Sequence, residues 1–193
     1  MKRICVYCGS NPGLLPDYCA AARSLGHEMA QRGIGLVYGG ASIGVMGAVA
    51  DAVLERGGQA IGVIPHSLAT REVSHDGLDD LIIVGSMHQR KAKMAELSDG
   101  FIALPGGWGT FEEIFEILTW AQLGMHEKPC GLLNAASYYD HLFAFLDHAV
   151  EQKFVKEEFR PMIMMDHEPA RLLDRFDDYR APRVKKWIGA EET

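Results

Sequence analysis

The residues best able to do chemistry sit in Pro105-Gly106-Gly107-Trp108-Gly109-Thr110, between apolar Phe101-Ile102-Ala103-Leu104 and Phe111-Glu112-Glu113-Ile114-Phe115-Glu116. The pattern predicts a strand, a glycine turn and a helix start. Glycines remove the Cβ atoms that keep a phosphate off the backbone. A helix start adds unpaired N–H groups and the positive end of the dipole, and Thr110 can supply a hydroxyl or a cap. The competing reading is a tight turn that needs glycine for its dihedrals alone. Three glycines in four positions, opening a helix at a strand end, favour the phosphate.

The spacing excludes two common phosphate sites. There is no G-x-x-x-x-G-K-[ST]. The dinucleotide pattern fails too, because Glu112 stands where its third glycine belongs, and a carboxylate there would repel a pyrophosphate. One monophosphate with an acid close by fits better. Acids in a first helical turn often only complement the dipole, but an acid beside a bound phosphate is costly unless chemistry uses it. Glu112 and Glu113 are about 100° apart on a helix, so one of them faces the ligand. Glu116 is assigned to the surface.

A second element, Met87-His88-Gln89-Arg90-Lys91-Ala92-Lys93-Met94, begins another predicted helix. Arg90 can fork onto a phosphate or carboxylate, or the cluster is a solvated face. Met87 and Met94, at i and i+7, are the expected core-facing members, with Lys93 in solvent. Two more glycine turns occur, Gly9-Ser10-Asn11-Pro12-Gly13 and Gly39-Gly40-Ala41-Ser42-Ile43-Gly44. Each reads equally well as a tight or polar loop and as a ligand wall. The eight histidines show no metal spacing, and no G-x-S-x-G elbow is present.

To position these turns the chain needs strands and helices in alternation, and it has them. Strands are predicted at 4–7, 36–38, 60–64, 81–84, 100–104, 131–133 and 162–165. Helices are predicted at about 18–32, 44–56, 87–97, 110–123, 138–152 and 169–178. Strands apolar on successive residues imply a sheet covered on both faces. The expected fold is therefore α/β, a Rossmann-like three-layer sandwich with a mostly parallel sheet of about seven strands. Ligands of such folds bind beyond the carboxyl ends of the strands, where the glycine turns fall. Residues 1–180 read as one nucleotide-binding domain and 181–193 as a tail.

The 193 residues are 48% hydrophobic and 23% charged, as in a soluble globular protein. A net charge of −7 argues against a nucleic-acid binder. No apolar run approaches the ~20 residues of a membrane span, and the start reads as a first strand rather than a signal peptide. Cys5 and Cys8 would point to opposite faces of a strand. With Cys19 and Cys130 they read as free thiols of a cytoplasmic protein.

Together these residues resemble the Lonely Guy (LOG) family, the cytokinin riboside 5′-monophosphate phosphoribohydrolases. That family carries P-G-G-x-G-T-x-x-E, here Pro105 to Glu113, and M-H-x-R-K, here Met87-His88-Gln89-Arg90-Lys91. Tyr38-Gly39-Gly40, Gly44-Val45-Met46-Gly47 and Leu118-Thr119-Trp120 resemble it as well. The resemblance implies hydrolysis of an adenosine 5′-monophosphate (AMP), plain or N6-substituted, to free base and ribose 5-phosphate. It also implies a homodimer and no metal or organic cofactor. By motif position Arg90 and Glu113 carry over as catalytic. Gly107, Gly109 and Thr110 carry over as phosphate-binding, with Trp108, Phe111 and Glu112 in the same substrate-binding stretch. Glu72, Lys91 and Thr119 match positions lining the nucleotide site. The rivals are a non-catalytic nucleotide or cofactor carrier on the same fold and a nicotinamide dehydrogenase, the latter disfavoured by the missing third glycine.

Overall fold

The computed structural model describes residues 1–69, 75, 77, 78 and 80–182. The expected site residue Glu72 and the tail from 183 lie outside the described residues. Seven strands form one sheet: β1 (Arg3–Tyr7), β2 (Gly35–Tyr38), β3 (Ala60–Pro65), β4 (Asp80–Val84), β5 (Gly100–Ala103), β6 (Cys130–Leu133) and β7 (Ile163–Asp166). Every pairing is parallel, in the order β4-β3-β2-β1-β5-β6-β7. The strand order reverses between β1 and β5. In open α/β sheets this switch point leaves a crevice beyond the strand ends, because the connections on either side leave in opposite directions.

Parallel strands alternate their side chains between two covered faces. Ile4 and Val6 of β1 join Leu36, Tyr38, Ile102 and Leu104 on one face. There they meet α1 (Pro16–Gln31), α2 (Gly44–Glu55) and α7 (Pro169–Asp177) through Leu25, Met29, Val49, Val53, Leu172 and Phe176. Cys5 and Tyr7 join Val37, Val63, Phe101 and Ala103 on the other. That face packs on α4 (Met87–Leu97) and α5 (Trp108–Gln122) through Met94, Ile114 and Ile117. The predicted strands and six main helices are all present within a few residues. A short helix α3 (His66–Ala69) was not expected.

Helix α6 (Asp140–Glu151) starts two residues later than expected. Before it, Ala135–Ser137 form a 3₁₀ turn in which Ala136 and Ser137 have φ of 47° and 60°. The four cysteines are free, with Cys5 and Cys8 on opposite faces of the sheet. Burial raises the thiols of Cys5, Cys8 and Cys130 well above their ordinary range, so these three are inert packing residues. Among the described residues no helix is long and apolar enough to cross a membrane.

Candidate active site

The three glycine turns meet at the switch point and are tied together by Gly9. Its N–H donates to the Pro105 carbonyl at 3.1 Å, and its carbonyl accepts from Val45 N–H at 3.1 Å and Met46 N–H at 3.2 Å. Above this knot opens a cavity of about 480 Å³, within the usual size for a small-molecule site. Its floor is the loop Gly9-Ser10-Asn11 and the turn from Pro105 to Thr110. Met87, Arg90 and Met94 of α4 line it, as do Glu112 and Glu113 of α5 and the rings of Tyr18 and Tyr138.

The glycines of the third turn are not alike. A Cβ on Gly106 would lie 2.1 Å from Thr110 Oγ1 and 2.8 Å from Gly9 N, so packing requires this glycine. Among the described residues a Cβ on Gly107 or Gly109 would meet nothing within 4 Å, and neither residue has positive φ. The tight-turn reading therefore explains Gly106 and fails for Gly107 and Gly109, both of which line the cavity. Helix α5 begins there without a side-chain cap. Its first intrahelical bond is Phe111 N–H to Gly107 carbonyl at 3.1 Å. The amides of Trp108, Gly109 and Thr110 have no acceptor among the described residues, so three donors and the positive end of the dipole face the cavity.

Arg90 is buried on the cavity wall. Its Nε donates to the Val63 carbonyl at 2.9 Å and Nη2 to the Gly39 carbonyl at 3.3 Å. Among the described residues only the Met87 sulfur, at 3.9 Å, is near Nη1, so that edge of the fork faces the cavity lining. Gly39 makes this possible, because a Cβ there would fall 2.2 Å from Nη2.

Glu113 lies on the stripe of α5 that faces the sheet, with Thr110, Ile114, Ile117 and Ala121. Its carboxylate has no hydrogen-bond partner among the described residues. Burial pushes its pKa from the ordinary 4.5 up to about 7, against the opposing pull of Arg90 and with some help from Glu112. An acid with that value can exchange protons at neutral pH.

The other expected site residues fall into two groups. Trp108, 89% exposed, and Glu112 stand at the cavity mouth, with Gly107, Gly109 and Thr110 below them. Lys91, Phe111 and Thr119 are not on its lining. Lys91 is buried between Glu112, in direct contact, and Glu116, at 3.0 Å. Burial works against its charge, but the two carboxylates outweigh it and hold the ammonium above the ordinary lysine value. Phe111 packs edge-on against Trp108. Thr119 is exposed, its hydroxyl donating to the Phe115 carbonyl at 2.8 Å.

Two expectations for side chains need correction. Glu116 is half-buried rather than freely exposed: α4 lies alongside α5, and Lys91 pairs with acids one helical turn apart. Met87 is 43% exposed rather than core-facing, because α4 starts at the rim, where the cavity lies instead of packed side chains. Sequence reasoning missed Tyr18 and Tyr138 on the lining; aromatic residues without a glycine or charge signal read as core. Among the described residues no group of three or more His, Cys, Asp or Glu is placed to hold a metal.

Comparison with known proteins adds independent findings. The family described as "Possible lysine decarboxylase" matches residues 46–176. A cytokinin riboside 5′-monophosphate phosphoribohydrolase of Arabidopsis thaliana is 49% identical over 185 residues, covering 96% of this chain and 86% of that protein. One from Oryza sativa subsp. japonica is 49% identical over 178 residues, covering 92% and 74%. Among solved structures, the molybdenum cofactor binding protein of Rippkaea orientalis matches with a TM-score of 0.70 at 26% identity, over 92% of this chain and 97% of that one. The molybdenum cofactor carrier protein of Chlamydomonas reinhardtii matches at 0.69 and 22% identity, over 92% and 96%, a likeness of fold alone.

Proposed function

The chain belongs to the cytokinin riboside 5′-monophosphate phosphoribohydrolase family, and on that premise we propose that it hydrolyses the N-glycosidic bond of AMP or an N6-substituted AMP. The products are the free base and ribose 5-phosphate. The observation that carries this reading is the juxtaposition of Glu113, a buried carboxyl poised near neutrality, with a helix start whose glycines open onto the same cavity.

In this reading the phosphate docks on the amides of residues 107–110 and the Thr110 hydroxyl, which fixes the ribose. The C1′–N9 bond breaks as a water oxygen bonds to C1′, and the electron pair leaves with the base. Positive charge grows on the sugar, as in glycoside hydrolysis. Ionised Glu113 stabilises that charge and takes the proton of the water. Arg90, held by two backbone carbonyls, stabilises the negative charge growing on the departing base, which takes up a proton from solvent, while Glu113 afterwards releases the proton it took from the water. Lys91 acts through Glu112, screening the mouth, and Thr119 makes no contact within one chain's site. Residues 1–180 form the nucleotide-binding domain. A cytoplasmic homodimer completes the proposal, supported by the free thiols and by exposed Trp108, Ile83 and Met87.

The molybdenum cofactor proteins have the same fold, and fold does not determine activity. A carrier, however, has no use for a carboxyl of raised pKa beside its phosphate. The test is incubation of wild type and Glu113→Gln with AMP and its isopentenyl derivative, with chromatography for base and ribose 5-phosphate. The variant should lose roughly 10³-fold or more in turnover and keep nucleotide binding. Turnover within a few-fold of wild type would remove Glu113 from the mechanism. Binding without release of base by the wild type would favour the carrier.

A further inference from the structure

Two consecutive tyrosines hold the phosphate turn, Tyr138 from the cavity wall and Tyr139 from the core. The Tyr138 hydroxyl donates to the Gly106 carbonyl at 2.6 Å, and the Tyr139 hydroxyl to the Leu104 carbonyl at 2.7 Å. Their positions are bound to the end of β6. Asn134, fully buried, accepts from Tyr139 N–H at 2.7 Å and donates to Asp140 Oδ1 at 2.5 Å. The intervening Ala136 and Ser137 are both left-handed, a conformation costing about 1 kcal/mol or more per non-glycine residue. Tyr138 also packs edge-on between Tyr18 and Tyr139, with ring centroids 5.6 and 5.0 Å away.

The consequence follows from the planarity of the peptide. The carbonyl of Gly106 and the N–H of Gly107 belong to one trans unit and point in opposite directions. A donor that fixes the carbonyl on one side therefore aims the N–H on the other. We propose that Tyr138 is a positioning residue whose hydroxyl, by holding the Gly106 carbonyl, aims the Gly107 amide at the substrate phosphate. Tyr139 differs in a decisive way. The carbonyl that it holds shares its peptide with Pro105, which has no N–H to aim. Its hydroxyl satisfies a buried strand-end carbonyl and nothing more. The neighbouring tyrosines thus form an internal control. The inference rests on the phosphate placement proposed above.

The two products separate the subsites without turnover, ribose 5-phosphate reporting the glycine turn and adenine the base end. Tyr138→Phe keeps the ring and its edge contacts. It should weaken ribose 5-phosphate about tenfold, the scale of one charge-assisted hydrogen bond, with adenine binding within about twofold. Tyr139→Phe should lower the melting temperature and leave the ribose 5-phosphate affinity at its wild-type value. Unchanged ribose 5-phosphate binding in Tyr138→Phe, equal loss of both products, or equal loss of ribose 5-phosphate in the two variants would each overturn the assignment. Gly109→Ala distinguishes the underlying reading. If it weakens ribose 5-phosphate while Tyr138→Phe does not, only the positioning role fails. If it has no effect either, the phosphate placement itself is wrong.

Discussion

The turn after β2 and the turn after β5 look equivalent as strings of glycine, yet the protein uses them differently. In the first, the glycines serve internal packing. Gly44 has φ of +62° and lies where a Cβ would sit 2.3 Å from the Ser10 carbonyl oxygen, and a Cβ on Gly47 would sit 2.2 Å from that of Ser42. The amides of Val45 and Met46 are already spent on Gly9. In the second, Gly107 and Gly109 open onto empty space and the first amides of α5 have no acceptor, both among the described residues. Counting from the residue that caps each helix, the sixth position is Val49 in α2 and Glu113 in α5. One is wholly core; the other places a carboxyl at a core-facing position beside the cavity. A glycine-rich helix start is thus open to a ligand only when its amides and the space above its glycines are left over after folding.

The sharpest way to break this contrast is to add the same methyl group to each turn. Gly47→Ala drives a Cβ into the Ser42 backbone and should destabilise by roughly 1–3 kcal/mol, read as a fall in the denaturant midpoint. Gly109→Ala meets no atom of the described residues within 4 Å and gains helix propensity. It should leave stability unchanged or slightly raised while weakening ribose 5-phosphate about tenfold or more. Equal losses of stability in the two variants would erase the distinction.

The second contrast, Val49 against Glu113, predicts a pH-dependent cost. The folded-state pKa of Glu113 is raised from 4.5 to about 7. Between those values the folded protein holds a proton that the unfolded chain has released. The folded state is therefore favoured at the acid end, and stability falls as pH rises through the window. Glu113→Gln removes this dependence. Its stability should gain on the wild type by about 2 kcal/mol between pH 5 and pH 8, read as roughly 5 °C in melting temperature. A constant difference across that range would show that Glu113 is an ordinary carboxyl. In the wild type, kcat/KM should fall below pH 7, a limb distinct from the nucleotide phosphate's second ionisation near ~6.

Much of this was legible in the sequence because it is local. Apolar runs such as Ile4 to Tyr7 and Phe101 to Leu104 predict their own burial, and glycine punctuates the turns between them. Hence all seven strands, the three turns and the placement of Arg90 and Glu113 on the cavity follow from pattern and motif. What could not be read depends on partners distant in the chain. Lys91 matches a motif, but its ammonium is taken up by Glu112 and Glu116 on a neighbouring helix. Gly39 reads equally as part of a tight turn or of a ligand wall, and its missing Cβ instead makes room for Arg90. Tyr138 and Tyr139 read as the opening of a helix, and their hydroxyls reach the turn after β5 through a backbone conformation that their neighbours do not advertise.

That conformation inverts the logic of the glycine turns and gives the smallest test. Gly107 and Gly109 occupy ordinary backbone regions where alanine would fit, while Ala136 sits at φ 47°, ψ 38°, where glycine is preferred. Relief of the left-handed strain in Ala136→Gly is worth about 1–2 kcal/mol, offset by about 0.5–1 kcal/mol of added unfolded-chain entropy. The variant should therefore be more stable by roughly 0.5–1 kcal/mol. It should bind ribose 5-phosphate as the wild type does, because the tyrosine hydroxyls keep their carbonyls. A gain in stability accompanied by lost affinity would mean that the strained backbone, rather than the hydroxyl of Tyr138, holds the turn in its binding geometry.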